Sequence, residues 1–581
     1  MKINIDTTKD NLLPRNAVDI LKDRYLLPTE DSPQEAFARA CVYFADDKAH
    51  ADRLYKYVSN LWFMFASPLL SNGGTERGLP ISCFLNYVPD SREGLAAHYT
   101  ENIWLSSMGG GIGGYWGHIR SQGQSTSKGN KTTGVIPFMH VVDSQMVAFN
   151  QGATRRGSYA SYMDISHPEI IEFIEMRKPA GGDINRKNLN LHHAVIVPDK
   201  FMLAVEKDED WTLIDPNSKQ KVKTIKARSI WIKILEARIS TGEPYIMFID
   251  TVNKGLPKEL KDKGLKVHHS NLCSEITLPT NEERTAVCCL SSVNLEYFDE
   301  WSKEELFIED LMRMLDNTLT KFIKSAPLTM KKAITSAESE RSVALGAMGF
   351  HSYLQRNGMA LNSPMAMVPN VKIFKYIKKK CDAANLKLGK ERGEAPDLKG
   401  TGKRFAHMTA IAPNASSSII CGNTSPSIEP LRANAFSQKT LSGSFLIKNK
   451  YLEKLLDKKG KNTKDVWKII ITNRGSVESL DFLNAQEKNI FKTAIEVDQA
   501  WLVDLASERQ KYICQSQSLN LFFPPDVNVR RINNVHKRAW YKKLKTLYYC
   551  RSEAIKRAEN ISIKIERKVR EDHDDCVMCQ A

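Results

Sequence analysis

The alternation of short β-rich pieces with longer helical stretches constrains the fold of this chain more than any other feature. Segments 193–197 and 245–249 are rich in β-branched and aromatic residues, whereas apolar residues recur at helical spacing in segments 229–240 and 302–324. Alternating elements of this kind are typical of α/β domains. The sequence therefore predicts an α/β fold.

A helical region is predicted to precede these elements. From Ser32 to about Phe65, apolar and charged residues follow a helical spacing, and Ser32-Pro33 suits an N-cap followed by proline in the first turn. We assign residues 1–60 to this N-terminal helical region. The chain has 581 residues, which is enough for several average domains or for one large catalytic barrel.

The charge of the chain favours anionic ligands. Lys and Arg outnumber Asp and Glu by 83 to 67, so the formal net charge is +16, which attracts nucleotides, nucleic acid or acidic segments. The longest apolar stretch, 61–70, is about half of the roughly 20 residues that span a bilayer, and residues 1–11 lack the apolar core of a secretory signal. We expect a cytoplasmic protein whose 11 cysteines are reduced and in part catalytic.

Glycine is dense between Ser71 and Gly157, above all in the run Gly109–Gly114. Such a run indicates that the backbone approaches another group closely. It could bind phosphate, although its spacing differs from that of the usual phosphate loops, or it could serve a turn or helix packing. Both interpretations stay open at this point.

The pentapeptide Asn271–Glu275 places an amide, a thiol and a carboxyl group at alternate positions. An extended backbone would direct Asn271, Cys273 and Glu275 to one face. Together these groups could orient a hydroxyl group and remove its proton while the sulfur carries out the central chemistry. A half-buried strand with an unreactive cysteine is the alternative.

Further cysteines could take part in thiol chemistry. Cys83 and Cys288 are distant in sequence, and Cys289 leaves open which neighbour would act; buried cysteines also serve simply as small apolar residues. Cys576 and Cys579 form a CxxC motif in a charged C-terminal tail. This motif could bind zinc with further ligands such as His573, but a free end favours redox exchange.

Two other segments stand out, a pair of adjacent tyrosines, which most often packs or lines an interface, and a run of small hydroxyl residues. The adjacent Tyr548 and Tyr549 follow a basic stretch in which Trp540, Leu544 and Leu547 share a helical face unless the chain turns to strand near Thr546. In segment 413–418, small hydroxyl residues before an apolar run could open a helix and bind phosphate, or act as a simple N-cap.

Taken together and in this order, these segments resemble the catalytic large subunit of class I ribonucleotide reductase from about Arg24 to the C-terminus. Asn271–Glu275 resembles the finger-loop motif of that family, Thr546–Tyr549 its radical-transfer tyrosines, and Ser427–Pro430 the segment after its phosphate-binding loop. The resemblance implies a ten-stranded α/β barrel of two antiparallel half-barrels with a central finger loop. The barrel would cover residues 61–560, and a flexible redox tail residues 561–581.

The resemblance also implies the reduction of ribonucleoside diphosphates to 2′-deoxyribonucleoside diphosphates. Cys273 would become a thiyl radical and abstract the 3′ hydrogen of the ribose. Glu275 would take the proton of the 3′-hydroxyl group, which Asn271 holds. Cys83 and Cys288 would supply the electrons and end as a disulfide.

The same resemblance implies the partners. Cys576 and Cys579 would reduce that disulfide and be recharged by thioredoxin or glutaredoxin. Tyr548 and Tyr549 would relay the oxidising equivalent from a separate, metal-containing small subunit, so this chain would hold no metal and no covalently bound cofactor. The substrate would be bound by residues of the finger loop, the phosphate loop and two serines: Ser67, Ser82, Asn271, Asn414, Ala415, Ser416 and Ser417. Asn414 stands where the family usually has Thr or Ser.

Allosteric control is implied as well. Asp90, Ser91 and Arg120 match positions that bind a deoxynucleoside triphosphate or ATP at the interface of a homodimer, although Asp90 with Glu93 also suits a capping box. Segment 181–190 resembles the loop that links effector to substrate. An N-terminal ATP cone is expected to be absent, and with it inhibition by dATP through this subunit.

Two alternatives remain at the level of the sequence. An adenosylcobalamin-dependent reductase shares the barrel, finger loop and terminal CxxC but lacks the tyrosine pair. A basic nucleic-acid or zinc-binding module would account for the charge and the cluster between residues 530 and 570. We expect the reductase, with no binding to nucleic acid or membrane.

Overall fold

A computed structural model describes residues 1–149, 157–179, 181–440 and 443–552. Within these ranges, no helix combines the length and the apolar character needed to cross a membrane. Cys576, Cys579 and the tail expected over 561–581 lie outside the described residues.

The strands, in chain order, are β1 (Phe63–Phe65), β2 (Cys83–Tyr87), β3 (Gly111–Tyr115), β4 (Ser158–Asp164), β5 (His192–Val197), β6 (Asp210–Ile214), β7 (Lys221–Lys226), β8 (Tyr245–Phe248), β9 (Ala286–Cys288), β10 (Leu290–Asn294), β11 (Ala344–Met348), β12 (Ala435–Thr440), β13 (Gly443–Lys448), β14 (Leu521–Phe523), β15 (Thr546–Leu547) and β16 (Cys550–Ser552).

The α-helices are α1 (Arg15–Arg24), α2 (Pro33–Phe44), α3 (Lys48–Ser59), α4 (Ser67–Asn72), α5 (Arg92–Ser107), α6 (Val135–Ala148), α7 (Ile170–Glu175), α8 (Asp199–Lys207), α9 (Ala227–Thr241), α10 (Ile249–Lys254), α11 (Lys258–Asp262), α12 (Phe298–Trp301), α13 (Phe307–Ser325), α14 (Lys331–Glu340), α15 (Phe350–Arg356), α16 (Met367–Arg392), α17 (Ala415–Ile420), α18 (Lys450–Lys458), α19 (Lys464–Thr472), α20 (Ala485–Ile490), α21 (Gln499–Gln510) and α22 (Val529–Tyr541).

The central strands close into a barrel of two halves. In one half, β2, β3, β4, β5 and β8 are parallel neighbours. In the other half, β10 is parallel to β11, and parallel bridges join Leu345 to Thr409 and Ile411 to Gln517. The halves meet antiparallel, because β9 pairs with β2 and β15 pairs with β8.

The ring is complete because the N–H of Tyr548 donates to the carbonyl oxygen of Leu519. Its members are β2, β3, β4, β5, β8, the continuous β9–β10, β11, segment 408–411, segment 515–519 and β15. This arrangement confirms the expected ten-stranded α/β barrel of two antiparallel half-barrels.

The barrel strands are covered on both faces. Every residue of β8 and of β11 is buried. Strands covered on both faces form continuous apolar runs instead of alternating ones, and for this reason segments 193–197 and 245–249 could be recognised from the sequence. The helices that alternate with the strands confirm the α/β pattern.

A loop formed by segment 265–283 passes through the middle of the barrel. The hydroxyl group of Tyr162, on a strand of the first half, donates to the carbonyl oxygen of Asn271 at 2.6 Å. From the second half, the N–H of Ser516 donates to the carbonyl oxygen of Glu275 at 2.9 Å. The loop is therefore held between the two halves, as a central finger loop.

The glycine run explains how this loop fits. Residues 111–114 belong to strand β3, so for them the predicted turn is wrong. A Cβ atom on Gly113 would lie 2.0 Å from the carbonyl oxygen of Ser270, and one on Gly114 would lie 1.5 Å from the hydroxyl oxygen of Tyr159. The predicted close approach of the backbone is confirmed, with the finger loop as the neighbour of Gly113.

The N-terminal segment is helical, but it is broken. Ser32 caps α2, since its hydroxyl oxygen accepts the N–H of Gln34 while the carboxylate of Glu35 accepts the N–H of Ser32. Helix α2 ends at Phe44, α3 follows from Lys48, and Phe65 lies in strand β1. The helical region predicted up to Phe65 therefore extends too far, because its last residues form a short strand.

The segment before the tyrosine pair ends its helix early. Trp540 lies in α22, which ends at Tyr541, whereas Leu547 belongs to strand β15. Both side chains are buried in the main apolar core. The shared helical face predicted for them is wrong, and the change to strand near Thr546 occurs.

Candidate active site

The tip of the finger loop is a turn. The N–H of Ser274 donates to the carbonyl oxygen of Asn271 at 3.4 Å, and Ser274 has a φ of 63° in the left-handed region. The extended backbone predicted over Asn271–Glu275 is therefore wrong. The turn nevertheless brings Cys273 and Glu275 to the wall of one cavity.

That cavity lies at the centre of the barrel. It has an empty volume of about 400 Å³, counted with the space open to solvent. Elements from both halves of the barrel line it, and its polar and sulfur-bearing members are Ser82, Cys83, Cys273, Glu275, Ser292 and Asn414. Five sequence candidates thus meet around one space: Ser82, Cys83, Cys273, Glu275 and Asn414.

The amide of Asn271 is directed at the thiol of Cys83. Its Nδ2 donates to the Sγ of Cys83 at 3.2 Å, and its Oδ1 accepts the N–H of Ile276 at 3.1 Å. The same Sγ lies 4.0 Å from the Oε1 of Glu275. Amide, thiol and carboxyl groups are therefore in contact, although the thiol contacted here is Cys83.

Cys83 and Cys288 lie directly opposite each other on the antiparallel strands β2 and β9. The Cα atoms of such a pair are about 4.5–5.5 Å apart, which falls in the range that a disulfide spans. Both cysteines are buried, and burial raises the pKa of Cys288 well above its usual value. The strand register thus prepares this pair for disulfide formation.

Cys289 points elsewhere. Its Sγ contacts the carbonyl oxygen of Leu315 on α13 at 3.5 Å, whereas the Sγ of Cys288 lies 4.0 Å from the side-chain nitrogen of Gln515. Successive side chains of an extended chain alternate between faces, so the two thiols cannot both face Cys83. Of the pair, only Cys288 is in register with it.

Glu275 is a buried acid. It is 1% exposed, and burial raises its pKa to about 7, although hydrogen bonds from Asn271 and Ser518 oppose the rise. The hydroxyl group of Ser518 lies 3.1 Å from Oε2 and also donates to the carbonyl oxygen of Cys273. A carboxyl group with a pKa near 7 can accept or donate a proton at neutral pH.

The opposite rim of the cavity is rich in unsatisfied polar groups. The Oγ of Ser82 and the Oδ1 of Asn414 are buried without a hydrogen-bond partner among the described residues. Asn414 has a φ of 55° and precedes α17, which begins at Ala415 and buries Ser416 and Ser417. Segment 413–418 thus opens a helix, as predicted, with free backbone N–H groups at its start.

Ser67 begins a second short helix, α4, and Ala66 before it lines the same cavity. The hydroxyl oxygen of Ser67 lies 2.7 Å from that of Tyr25. Two helix starts therefore face one space, an arrangement that suits an anion.

The tyrosine pair is buried beside the finger loop. The rings of Tyr548 and Tyr549 are 4.3 Å apart, and Tyr245 lies within 4.6 Å of the first and 5.0 Å of the second. All three pack in one apolar cluster with Cys273. A continuous aromatic contact thus leads from Tyr549 towards the thiol.

Two of the residues expected to bind the effector, Asp90 and Arg120, form an ion pair with each other. The guanidinium of Arg120 binds the carboxylate of Asp90 at 2.9 Å, and Asn217 donates to the same carboxylate at 3.0 Å. Ser91 caps α5 through the N–H of Gly94. A capping box begun by Asp90 is therefore wrong, because the cap is one residue later.

Segment 181–190 is joined to its neighbours by the side chain of Arg186 and by a backbone hydrogen bond from Asn190 to Asp143. Arg186 pairs with Glu169 at 2.9 Å and also with Glu172.

Several contact residues could not be found from the sequence. Ser518 and Gln515 contact the finger loop from a segment about 240 positions away, and Tyr245 joins the tyrosine pair from strand β8. None of them belongs to a sequence motif with its own chemistry. They reach the finger loop and the tyrosine pair only because the barrel closes, and the sequence does not show these contacts.

The fold defines the class of protein. A family model described as the barrel domain of ribonucleotide reductase matches residues 81–401 and 396–550. The model of the all-alpha domain of the same family matches residues 12–78. These segments together cover nearly all of the described chain.

Similar proteins narrow the class. The chain is 44% identical over 636 aligned positions to the ribonucleoside-diphosphate reductase large subunit of Invertebrate iridescent virus 3, with both chains covered completely. It is 30% identical to the ribonucleoside-diphosphate reductase subunit alpha of Chlamydia muridarum, over 97% of this chain and 61% of that one. The structure matches the class Id ribonucleotide reductase alpha subunit of Actinobacillus ureae with a TM-score of 0.84 and 34% identity, over 95% and 98% of the two chains. The chain belongs to the large subunits of class I ribonucleotide reductase.

Proposed function

We propose that this chain reduces ribonucleoside diphosphates to 2′-deoxyribonucleoside diphosphates by radical chemistry at Cys273. The observation that carries this proposal is the meeting of Cys273, Glu275 and Cys83 on one cavity at the centre of the barrel, with Cys288 opposite Cys83. A reduction that removes a hydroxyl group needs a hydrogen-abstracting centre, a base and a source of two electrons. The cavity supports each of these roles with a separate side chain.

In this mechanism a thiyl radical on Cys273 abstracts the 3′ hydrogen atom of the ribose. Glu275 accepts the proton of the 3′-hydroxyl group and Asn271 orients that group. The 2′-hydroxyl group then leaves as water with one added proton. Burial supports the choice of base, because it raises the pKa of Glu275 to about 7 and so holds its proton affinity near the working pH.

Cys83 and Cys288 supply the two electrons and two protons and become a disulfide. Cys273 regains its thiyl radical when the hydrogen atom returns to the 3′ carbon. Cys576 and Cys579 reduce the disulfide by thiol exchange, and thioredoxin or glutaredoxin reduces them in turn. We expect this reaction in the cytoplasm.

The radical comes from a separate small subunit that holds the metal. Tyr549 and Tyr548 relay the oxidising equivalent to Cys273, a route supported by their contact at 4.3 Å and by the packing of Cys273 in the same cluster. A cobalamin enzyme would make its radical within one chain, so the tyrosine pair favours the two-subunit form.

The substrate diphosphate binds at the rim formed by the starts of α4 and α17, through Ser67, Ser82 and Asn414–Ser417. The unsatisfied Oγ of Ser82 supports this placement, because a hydroxyl group can donate to a phosphate oxygen. The Nδ2 of Asn414 donates one hydrogen to Ser292 at 2.8 Å and has a second that it can donate to a phosphate oxygen. A deoxynucleoside triphosphate or ATP binds near Asp90, Ser91 and Arg120 in a homodimer and sets the specificity.

The test is the reduction of labelled CDP by the full chain with and without a candidate class I small subunit, with dithiothreitol and an effector present. We expect dCDP only when both subunits are present, and no dCDP when Tyr548→Phe replaces the wild-type chain. Product formed without a small subunit, upon addition of adenosylcobalamin, would overturn the proposal.

A further inference from the structure

The hydroxyl group of Tyr549 contacts a histidine that the proposed mechanism does not use. It lies 3.1 Å from the Nδ1 of His192 on strand β5, and the two rings meet edge to face at 6.0 Å. Tyr549 is 7% exposed. The phenol therefore has little access to bulk water, and the imidazole is a polar neighbour at its reacting oxygen.

A buried carboxylate lies behind this histidine. The Oε1 of Glu243 is 2.5 Å from the Nδ1 of His192 and 2.6 Å from the Nη1 of Arg177. Its Oε2 accepts the backbone N–H of His193 and lies 3.0 Å from the ring Nδ1 of that residue. Burial would raise the pKa of Glu243, but Arg177 and the histidines hold it well below its usual value.

Oxidation of Tyr549 requires a proton acceptor close to its hydroxyl group, and this cluster contains one. A tyrosine that loses an electron becomes a strong acid, so its proton must move to a nearby base for a neutral tyrosyl radical to form. The His192 imidazole touches the phenol oxygen, and the ionised carboxylate of Glu243 can stabilise the imidazolium that forms.

We propose that His192, backed by Glu243, accepts the phenolic proton of Tyr549 when this tyrosine is oxidised and returns it when the small subunit gives the electron back at the end of the turnover. This inference rests on the proposed function, in which Tyr549 is the first relay in this chain. His192 then acts as a catalytic residue of radical transfer, distinct from the residues that touch the ribose.

The step balances in atoms and charge. Tyr549 gives one electron to the oxidised small subunit, a tyrosyl or high-valent metal oxidant, and its O–H bond breaks. The proton passes to the Nδ1 of His192, and the ionised carboxylate of Glu243, 2.5 Å away, balances the charge of the imidazolium. The pair gains one proton in total. Tyr548 then gives the hydrogen of its hydroxyl group, proton and electron together, to the Tyr549 radical, and His192 returns its proton when the small subunit gives the electron back to Tyr549 at the end of the turnover.

The neighbouring histidine offers a matched control. His193 binds the other oxygen of the same carboxylate, but its ring packs against Phe173 at 5.3 Å. It therefore shares the strand, the residue type and the carboxylate with His192, and it lies on the opposite face. His192→Gln and His193→Gln can be compared in the complete complex with the small subunit.

We expect His192→Gln to lower kcat for CDP reduction by about 10²-fold, the usual range for loss of a proton acceptor, with the KM for CDP unchanged. His193→Gln is expected to lower kcat by no more than about threefold. Equal losses in the two variants would overturn the inference, because they would indicate a structural effect through Glu243. Full activity of His192→Gln would overturn it as well.

A second experiment distinguishes the loss of a proton acceptor from a structural effect of the His192→Gln substitution. A ring-fluorinated tyrosine that is ionised at the assay pH has no phenolic proton to transfer, so its oxidation needs no acceptor. With this residue at position 549, we expect His192→Gln and the wild-type histidine to support the same rate. A persistent defect in His192→Gln would contradict the role of His192 as proton acceptor.

The parent proposal is tested separately. Tyr549→Phe should be inactive if this residue relays the radical. If Tyr549→Phe is fully active, the proposed radical route fails and His192 has no role in it. If Tyr549→Phe is inactive while His192→Gln is fully active, the radical route stands and only the present inference is lost.

Discussion

Burial raises the pKa of Glu275 to about 7, close to the pH at which a general base is most effective. The ionised form is the base, so kcat/KM for CDP should rise as the pH passes through about 7. Glu275→Gln should lose this rise and about 10²–10⁴ of the rate. The measurement is the pH profile of CDP reduction between acidic and mildly alkaline buffers.

Glu340 is a matched control for that profile. Burial raises its pKa to about 7 as well, but its carboxylate contacts Ser336 and Ser342 and does not line the cavity. Glu340→Gln should keep the rise of activity with pH. A profile that flattens in Glu340→Gln, or that persists in Glu275→Gln, would contradict the assignment of the base.

The choice between Cys288 and Cys289 can also be tested at single residues. In one turnover of the reduced enzyme without external reductant, and with Cys576 and Cys579 replaced by Ser, we expect a disulfide between Cys83 and Cys288. The strand register predicts this bond, because these two residues are directly opposite. Peptide mapping by mass spectrometry should find Cys289 as a free thiol, and a bond to Cys289 would contradict the prediction.

At the scale of single residues, the sequence predicted the candidate site residues better than the residues that contact them. Cys273, Glu275 and Cys83 could be proposed from their spacing and from the family resemblance, and they do meet on one cavity. Ser518 could not, because a serine about 240 positions from the finger loop has no local pattern that links it to Glu275. Contacts made by barrel closure leave little trace in a single sequence.

At the scale of elements, strand β3 and the finger loop are fitted to each other at Gly113. A methyl group there would lie 2.0 Å from the carbonyl oxygen of Ser270 and 2.8 Å from the Cα of Asn271, so strand or loop would have to move. We expect Gly113→Ala to abolish CDP reduction and to destabilise the chain by about 1–3 kcal/mol, as overpacking does. Activity and thermal unfolding measure the two effects.

Gly255→Ala is the control for this substitution. Its added methyl group would lie 3.1 Å from the Cε of Lys545, and its nearest neighbours include no atom of the finger loop. It should keep most of the activity. Wild-type activity in Gly113→Ala would show that the finger loop does not depend on this fit.

The sequence located most elements but not the shape of the finger loop. Apolar runs and the Ser32 cap predicted strands and a helix start that are present. The alternate spacing in Asn271–Glu275 wrongly predicted extension, because Ser274 adopts a left-handed conformation that a non-glycine residue seldom chooses. Bonds to Tyr162 and Ser516 from opposite halves hold the loop, and these bonds form only in the closed barrel.

At the scale of the whole molecule, one buried aspartate joins distant parts of the chain. Asp316 on α13 binds Arg341 at 2.6 Å, Arg392 at 2.7 Å and Arg404 at 3.0 Å. It is 1% exposed. Burial acts to raise its pKa, but the three guanidinium groups lower it below the usual value.

Loss of this charge should destabilise the fold. We expect Asp316→Asn to lower the free energy of unfolding by about 3–5 kcal/mol, because three arginines lose their buried partner. A lowered pKa stabilises the fold above the pKa of the unfolded state, so the deficit should shrink as the pH falls below about 4. Urea unfolding at several pH values measures it.

The exposed pair of Lys378 and Asp382, 2.5 Å apart and nearly half exposed, gives the comparison. Asp382→Asn should cost no more than about 1 kcal/mol. Equal losses for Asp382→Asn and Asp316→Asn would contradict the central role given to the buried cluster.

The role of Cys273 is tested by comparing Cys273→Ser with Cys289→Ser in the complete enzyme, by CDP binding and by dCDP formation. We expect both variants to bind CDP as the wild type does. We expect Cys289→Ser to form dCDP and Cys273→Ser to form none. Formation of dCDP by Cys273→Ser at a rate comparable to that of Cys289→Ser would contradict this role.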